Sequence, residues 1–402
     1  MELMTKQSFK QTEVGLIPED WDSSPITKLT KEIFLGLTSK VDYVKNGGFP
    51  LIRASDIAKG KIDLSNVKFI SPAQHKSLTK YRRAVKDNVL VSKSGSLGVC
   101  AIVETDIEFS IYESIIVMQV IDNKLSSAFL LWLLRYESTQ QRILGEKVGS
   151  SVAHLNIEMF RKLEIPLPTL TEQKAIASAL SDVDELISSL EKLISKKKDI
   201  KQGAMQELLT PPHKGGKRLS GFEGEWVEKT LGEIINLDKG QQLNRDTLLE
   251  DGDYPVINGG VEPSGYSEKW NRIENTITIS EGGNSCGYVN LLKTKFWSGG
   301  HCYTLKLKTS EVNQQYLYLF LKYMENSIMA LRVGSGLPNI QKGRLELFLC
   351  SIPNDVKEQK AIAQILSDMD AEISQLEAKK AKYQSIKQGM MQELLTGKTR
   401  LL

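Results

Sequence analysis

A near-duplicate segment limits what this chain can fold into more than any other feature of its sequence. Residues 172–210 and 358–396 align without gaps, and 25 of their 39 positions are identical. Apolar residues recur in both copies in alternating steps of four and three, which indicates a helix with one coiled-coil stripe. The stripe residues are Ile176, Leu180, Val183, Ile187, Leu190 and Ile194 in the first copy, and Ile362, Leu366, Met369, Ile373 and Leu376 in the second. Two matching long helices are therefore predicted.

The sequence also marks the ends of these helices. Thr169 with Glu172, and Asp355 with Glu358, have the spacing of a capping box. A Pro-Pro pair follows the first copy and a glycine follows the second, which favours a stop at each place. At 1.5 Å per residue, each helix is about 58 Å long. Since both helices must bury the same stripe, we expect them to pair as an antiparallel coiled coil with pseudo-twofold symmetry.

The segments before the helices repeat more faintly. FPLIRA at 49–54 matches YPVING at 254–259, and DNVLVSKSGSLG at 87–98 matches ENTITISEGGNS at 274–285. Short β-branched runs and glycine-rich turns are typical of strands and hairpins. We predict an α+β chain with two globular mixed α/β heads joined by the two long helices. Its boundaries are residues 1–168 for the first head, 169–212 for the central helix, 213–354 for the second head and 355–402 for the C-terminal helix.

Composition and missing motifs exclude several classes of function. The chain has 402 residues, a net charge of +3 and 41% hydrophobic residues, which are ordinary globular values. No apolar run approaches the ~20 residues of a membrane span, the first residues lack the apolar stretch of a signal peptide, and the four cysteines lie far apart. We therefore expect a reduced, cytoplasmic protein. GKT at 397–399 lacks the earlier glycine of a phosphate-binding loop, and the histidines form no metal-binding motif. We expect no catalytic site, metal or cofactor in this chain.

Two diverged heads, each followed by a helix that opens with EQKAIA and closes with IKQG and MQELLT, resemble the specificity subunit of type I restriction–modification systems. The resemblance covers essentially the whole chain. It implies that each head is a target-recognition domain for one half of an asymmetric, bipartite target in double-stranded DNA, and that the helices set the spacer. It also implies a non-catalytic chain with two modification subunits, which are adenine methyltransferases, and two restriction subunits with nuclease and translocase activity. S-adenosylmethionine, ATP and magnesium are then expected in those partner subunits.

Candidate DNA-binding residues lie in loops that combine glycine, small polar and basic residues. Lysine and arginine bind phosphates, whereas sequence is read by side chains that reach base edges. The candidates are Arg53, Ser55, Arg82, Arg83, Lys93, Ser94 and Ser96 in the first head, and Asn244, Arg245, Asn258, Lys269, Arg272, Asn284 and Ser285 in the second. For each of them, an exposed side chain that only solvates its loop is the alternative.

Each long helix contains a glycine near its end, which costs about 1 kcal/mol relative to alanine. A fraying helix end is one explanation, and close approach by another helix is the other. On the second explanation, each copy forms a docking patch for one modification subunit. The patch candidates are Gly203, Met205, Leu208 and Leu209 in the first copy, and Gly389, Met391, Leu394 and Leu395 in the second.

Two other functions stay open at this point. A non-catalytic coiled-coil adaptor with two ligand-binding heads has the same organisation, and one head could hold an enzymatic site of an unfamiliar kind. Neighbouring reading frames for an adenine methyltransferase and a helicase-type nuclease would favour the specificity subunit over the adaptor. Catalytic activity of the isolated chain would favour the enzyme.

Overall fold

The structure, a computed structural model, describes residues 8–36, 40–145, 154–334 and 336–401. The chain divides into two compact units. The first consists of Met1–Leu190 with Lys379–Leu402, and the second is Glu191–Ala378. Each unit therefore contains one head, the first half of the long helix that follows it and the last half of the other long helix. The boundaries drawn at the helix ends, at residues 169, 213 and 355, stay a prediction.

The first head and its helix are built from short strands and five helices. In chain order these are β1 (Phe9–Thr12), β2 (Gly15–Pro18), β3 (Asp22–Pro25), β4 (Thr30–Leu35), β5 (Tyr43–Val44), β6 (Phe49–Ile52), β7 (Lys68–Ile70), α1 (Pro72–Leu78), β8 (Val89–Ser92), β9 (Cys100–Ile102), β10 (Ser110–Ile111), β11 (Ile115–Val120), α2 (Ser127–Arg135), α3 (Glu137–Gly145), α4 (Ile157–Lys162), β12 (Glu164–Leu167) and α5 (Leu170–Leu208). Two four-stranded sheets have the orders β4-β11-β8-β9 and β10-β6-β7-β5.

The second head repeats this plan. Its elements are β13 (Trp226–Thr230), α6 (Leu231–Ile234), β14 (Ile235–Lys239), β15 (Tyr254–Ile257), β16 (Tyr266–Ser267), β17 (Thr276–Ser280), β18 (Val289–Leu292), β19 (Trp297–Ser298), β20 (Cys302–Leu307), α7 (Gln314–Tyr323), α8 (Glu325–Met329), α9 (Lys342–Glu346), β21 (Leu349–Pro353) and α10 (Val356–Leu394). Its sheets have the orders β14-β20-β17-β18 and β16-β15-β19. The predicted α+β repeat is confirmed, because equivalent strands stand in the same order in both heads.

The two long helices pair antiparallel in each unit. In the first unit, the Lys387 ammonium lies 2.7 Å from the carboxylate of Asp184. In the second, Lys201 lies 2.5 Å from Asp370. Lys197, four residues earlier on α5, lies 2.6 Å from Glu372, two residues later on α10. Position numbers therefore rise on one helix as they fall on the other. The predicted stripe is buried or half-buried throughout, which confirms the antiparallel pair.

The start of the stripe also packs on the heads. Ile176 and Leu180 lie in the hydrophobic core of the first head, and Ile362 and Leu366 lie in that of the second. Burial of this apolar surface stabilises each head by roughly 25 cal/mol for every Å² removed from water. The first turns of each helix are therefore part of a head core as well as part of the helical pair.

The predicted capping boxes are only half right. The Thr169 hydroxyl accepts the amide of Glu172 at 3.3 Å, and the Asp355 carboxylate accepts the amide of Lys357 at 2.8 Å. The carboxylates of the two glutamates do not complete the boxes by accepting the backbone amide of the N-cap residue. Glu172 and Glu358 are 1% and 0% exposed, and each binds an arginine that follows the end of the other long helix. A partner distant in sequence replaces the local capping bond.

These two ion pairs are nearly equivalent. Both carboxylate oxygens of Glu172 accept hydrogen bonds from Arg400, at 2.6 and 2.8 Å, and one of them also accepts the Trp21 indole N–H at 3.0 Å. Both oxygens of Glu358 accept from Arg218, at 3.1 and 2.6 Å. Such two-point pairs between guanidinium and carboxylate are strong and fix orientation. The glutamate of the repeated EQKAIA motif thus fastens each helix start to the end of the other helix.

The glutamine of the same motif fastens the helix to its own head. The side-chain oxygen of Gln173 accepts the amide of Ser126, the N-cap of α2, at 2.9 Å. The oxygen of Gln359 accepts the amide of Asn313, the N-cap of α7, at 2.7 Å. Both glutamines are 1% exposed, so these bonds satisfy polar groups that water does not reach. The near-identity of the two helix starts follows from these matched buried contacts.

No helix in the described ranges is long and apolar enough to cross a membrane. Within the same ranges, no three side chains of His, Cys, Asp or Glu are grouped so as to hold a metal ion. The four cysteines are free and buried. Burial raises the pKa of Cys100 to about 12 and that of Cys302 to about 11, so these groups are neutral thiols at physiological pH.

Candidate nucleic-acid interface

Both heads have the same backbone corner, at the place where a pair of parallel strands ends. In the first head, β6 runs parallel to β10, and the Tyr112 amide donates to the Ile52 carbonyl at 2.9 Å. In the second, β15 runs parallel to β19, and the Gly299 amide donates to the Ile257 carbonyl at 2.8 Å. The residues that follow β6 and β15, Arg53 and Asn258, therefore occupy equivalent positions.

A glycine-rich loop joins each corner. Lys93 follows β8, and its amide donates to the Ser114 carbonyl at 2.7 Å. Glu281 follows β17, and its amide donates to the His301 carbonyl at 2.9 Å. The carbonyls of Lys93 and Glu281 each accept an amide from the segment just before α4 or α9. The corners thus consist of Arg53, Lys93 and Ser114 in the first head, and of Asn258, Glu281 and His301 in the second.

Our alignment of residues 87–98 with 274–285 is therefore wrong by one residue. It set Lys93 beside Ser280, but Ser280 has the hydrogen bonds of Ser92. The Gly98 amide closes the first loop on Ser92, and the Gly287 amide closes the second on Ser280, both at 2.9 Å. The second loop is one residue longer between these closing bonds. Glu281 was missed because the alignment was wrong by one residue, although the serine before each loop would have set the register. Ser114 and His301 lie outside the two aligned segments and were not among the candidates.

Arg53 is fixed in the first corner by a neighbouring carboxylate. Asp56, which is 7% exposed, accepts the Arg53 Nε–H at 3.1 Å and an Nη2–H at 3.0 Å. Hydrogen bonding to Asp56 raises the pKa of Arg53, so the guanidinium stays charged. Asp56 occupies the Nε–Nη2 edge of the guanidinium, and the Tyr43 side chain also interacts with the guanidinium. An arginine fork of this kind matches the O6 and N7 acceptors of guanine.

The second corner has a different set of polar groups. The Asn258 side-chain oxygen accepts the His301 amide at 3.2 Å, which orients its NH₂ group. One carboxylate oxygen of Glu281 accepts from Lys239 at 2.7 Å and from the Tyr303 hydroxyl at 3.1 Å. The other is buried without a hydrogen bond and lies 3.5 Å from the His301 ring. Burial, together with Glu281, raises the pKa of Tyr303, so its hydroxyl stays a donor.

The other first-head candidates fall into two groups. Ser55 donates to Asp56 at 3.1 Å, and Ser94 and Ser96 lie in the glycine-rich loop beside Lys93, so these side chains belong to the corner. Arg82 and Arg83 do not belong to the corner. Arg82 pairs with Glu32 of β4 at 2.5 Å, and Arg83 pairs with Glu108 at 3.0 Å. These pairs are exposed and weak, so a phosphate could displace either carboxylate.

The second-head candidates are also divided. Ser285 donates to the Gly259 carbonyl at 2.5 Å and so belongs to the corner, and Asn284 next to it is exposed. Arg272 is used inside the fold, because its guanidinium donates to the Thr304 hydroxyl at 3.0 Å and to the Asn271 carbonyl at 2.9 Å. The remaining three are exposed loop residues away from these bonds: Asn244, Arg245 and Lys269.

The docking-patch candidates need a correction. Met205, Leu208 and Leu209 are buried in the core of the second unit, and Leu394 and Leu395 are buried in that of the first. Met391 is half-buried against the first core. The five buried side chains therefore hold the helix ends on the heads, and the prediction that they form a free docking surface is wrong; Met391 also lines an open groove on α10 and stays a candidate. An amphipathic helix has one apolar face, and the heads of this chain already cover it.

Gly203 and Gly389 lie on the opposite, exposed face. A Cβ added at either glycine meets no atom within 4 Å. The glutamines around them, Gln202 and Gln206 in α5 and Gln388 and Gln392 in α10, are exposed as well. Beside Gly389, an open groove of about 690 Å³ runs between α10 and the end of α2 with the start of α3. Each helix thus presents a polar strip interrupted by a glycine.

Comparison with known proteins agrees with this architecture. The model of the type I restriction modification DNA specificity domain matches residues 18–202 and 223–388. A putative type I restriction enzyme specificity subunit of Methanocaldococcus jannaschii is 29% identical over 423 residues, which cover 100% of this chain and 99% of that protein. A putative type I specificity subunit of Mycoplasma pneumoniae is 36% identical over 152 residues, or 38% of this chain and 40% of that protein.

A solved structure shows the same fold. The S subunit of a type I restriction–modification system from M. genitalium superposes with a TM-score of 0.67 at 20% identity, and the match covers 98% of both chains. The two matched regions of the specificity-domain model include both heads and most of both long helices. The chain therefore belongs to the family of type I restriction–modification DNA specificity proteins.

Proposed function

We propose that this chain is the sequence-specific DNA-recognition subunit of a type I restriction–modification complex, and that each head reads one half of a bipartite target. The observation that carries the proposal is the pair of equivalent corners with unlike side chains. Arg53 stands where the second head has Asn258, and Lys93 stands where it has Glu281. Equivalent backbone corners with different hydrogen-bonding groups are suited to two different half-sites, so the whole target is asymmetric.

Base-edge chemistry assigns a preference to each corner. The Arg53 guanidinium, once a base replaces its contact with Tyr43, suits guanine, since both acceptors of that base lie on the major-groove side. The Asn258 amide carries a donor and an acceptor, which is the pattern that adenine requires. Phosphate contacts position the heads but carry no sequence information. The half-site of the first head is therefore expected to depend on a G·C pair, and that of the second on an A·T pair.

The long helices are proposed to set the spacer between the half-sites. Both helices contribute residues to both compact units, and their length is proposed to fix the spacing of the half-site contacts. An insertion of seven residues at the middle of α5 and of α10 preserves the stripe and adds about 10 Å to each helix. We expect the spacer to grow by about three base pairs, at 3.4 Å each. Methylation mapping of the variant measures the spacer directly, and an unchanged spacer would contradict its control by the helices.

The partners follow from the same proposal. Two modification subunits dock on the two helix-end repeats, and two restriction subunits complete the complex. S-adenosylmethionine, ATP and magnesium belong to those subunits, and this chain makes and breaks no bonds.

A further inference from the structure

The recognition segments of the two heads differ in charge. Residues 40–88 lie between the equivalent strands β4 and β8 and contain eleven Lys and Arg against four Asp and Glu, a net charge of +7. Residues 240–275 lie between β14 and β17 and contain three Lys and Arg against seven Asp and Glu, a net charge of −4. The contrast continues in the corners, where Lys93 occupies the position of Glu281.

Ion pairs within the chain leave most of this charge uncompensated. Four of the eleven cations in residues 40–88 pair with carboxylates: Arg53, Arg82, Arg83 and Lys86. The other seven are exposed lysines that make no ion pair in the part of the chain that the structure describes. In residues 240–275, none of the seven carboxylates makes an ion pair within the same described part. The two segments therefore present charge of opposite sign to solvent.

Some of these like charges follow directly on paired strand residues. Val44, the last residue of β5, pairs with Phe69 of β7, and Lys45 and Lys68 are the next residues along the two antiparallel chains. In the second head, Tyr254 pairs with Ser267 at the end of the ladder, and Asp253 and Glu268 are the next residues along the two chains. Like charges directly across strands destabilise a sheet, and a bound phosphate relieves the repulsion only between the lysines.

We propose that the two heads contribute unequally to DNA binding. The basic surface of the first head, formed by residues 40–88, makes most of the phosphate contacts and supplies most of the salt-dependent affinity. The second head makes few phosphate contacts and contributes through base readout. This inference rests on the proposed function, because it assumes that both heads bind the same duplex. Its physical basis is counterion release, in which each neutralised phosphate adds about 0.9 to the slope of log affinity against log salt concentration.

Two triple variants with the same change in net charge test the inference. The first is Lys45→Gln, Lys68→Gln and Lys76→Gln, three exposed positions on β7, on α1 and just after β5. The matched control is Arg245→Gln, Lys269→Gln and Lys293→Gln, three exposed positions of the second head. Each variant chain is assembled with its modification subunits and bound to a random-sequence duplex of roughly 30 base pairs at several salt concentrations. The contribution of the partner subunits is the same in both variants and cancels in the comparison.

We expect the first triple variant to reduce the salt slope by about 2 to 3, and the control to reduce it by less than about 1. Replacing the same three lysines with arginine retains the charge and is expected to retain the slope. Equal reductions in the two triple variants, or a larger reduction in the control, would overturn the inference. An unaltered complex that fails to form, or that shows no salt-dependent binding to the duplex, would instead contradict the proposed function.

Discussion

Replacing Arg400 with alanine is expected to destabilise the first unit by about 3 to 5 kcal/mol. Arg400 donates to both carboxylate oxygens of the buried Glu172 and, at 2.8 Å, to both oxygens of Asp20. Without it, the Glu172 carboxylate stays buried with the Trp21 indole as its remaining hydrogen-bond donor. The loss is large because a desolvated charge is left without its partner, whereas an exposed pair contributes much less.

Hydrogen exchange is the suitable measurement, because a chain with two compact units need not unfold in one step. We expect amides of the first unit to exchange more than 100-fold faster in the variant, and amides of the second unit to be unchanged. Lys398→Ala is the matched control, since Lys398 is exposed and makes no ion pair among the described residues. Unchanged protection in Arg400→Ala would show that this buried pair does not stabilise the unit.

The same contact makes the first unit sensitive to acid. Hydrogen bonding to Arg400 lowers the pKa of Asp20 below its ordinary value. A carboxyl group with a lowered pKa in the folded state stabilises that state above its unfolded pKa and loses the contribution as pH falls through the folded pKa. The difference in amide hydrogen-exchange protection between the unaltered chain and Arg400→Ala should therefore become smaller in strong acid.

Replacing Gly203 and Gly389 together with leucine is expected to impair assembly with the modification subunits and leave the chain folded. A Cβ at either position meets no atom of the chain within 4 Å, and leucine is a better helix former than glycine. If a partner helix packs against the glycine strip, the added side chain overpacks each interface by about 1 to 3 kcal/mol. That corresponds to roughly 5- to 150-fold weaker binding at each site. Titration of the modification subunit, followed by light scattering, measures the loss.

Ser195→Leu with Ala381→Leu is the matched control, because both residues are exposed on the same two helices. The control should assemble normally, and both variants should unfold no more easily than the unaltered chain. A glycine variant that assembles with unaltered affinity would place the docking surface elsewhere and leave the fraying-end explanation for the two glycines.

The helices could be predicted from sequence because their signals are local. Alternating four- and three-residue spacing, helix stops and a 39-residue repeat are all read within one segment. The partners of Glu172 and Glu358 could not be predicted, since Arg400 lies 228 positions and Arg218 lies 140 positions away. The spacing of a capping box was present, but both carboxylates form ion pairs with these distant arginines instead. Burial of Leu208 and Leu394 was missed because an apolar stripe in the sequence does not identify the surface that packs against it.

The candidate site was predicted in part. Arg53 and Asn258 were found because they follow matching strand sequences at a constant offset of 205 residues. Glu281 was missed because the alignment was one residue out of register from its start, where Asp87 and Asn275 share a positive φ, and His301 lies outside the aligned segments. Arg272 was proposed to contact DNA because it is a basic residue in a polar loop, whereas its hydrogen bonds to Thr304 and Asn271 fix it within the fold. Charge identifies a side chain that can bind phosphate, but only its three-dimensional surroundings show whether it is available.

Methylation sequencing of cells that express this chain with its modification subunit tests the central claim most directly, if it is repeated with Arg53→Ala and with Asn258→Ala. The unaltered chain is predicted to give one bipartite motif with two unlike halves. Each substitution is predicted to relax one half of the motif, and the two substitutions should relax different halves, at a discrimination loss of about 1 to 3 kcal/mol per base contact. A motif with identical halves, or relaxation of the same half by both substitutions, would contradict the account.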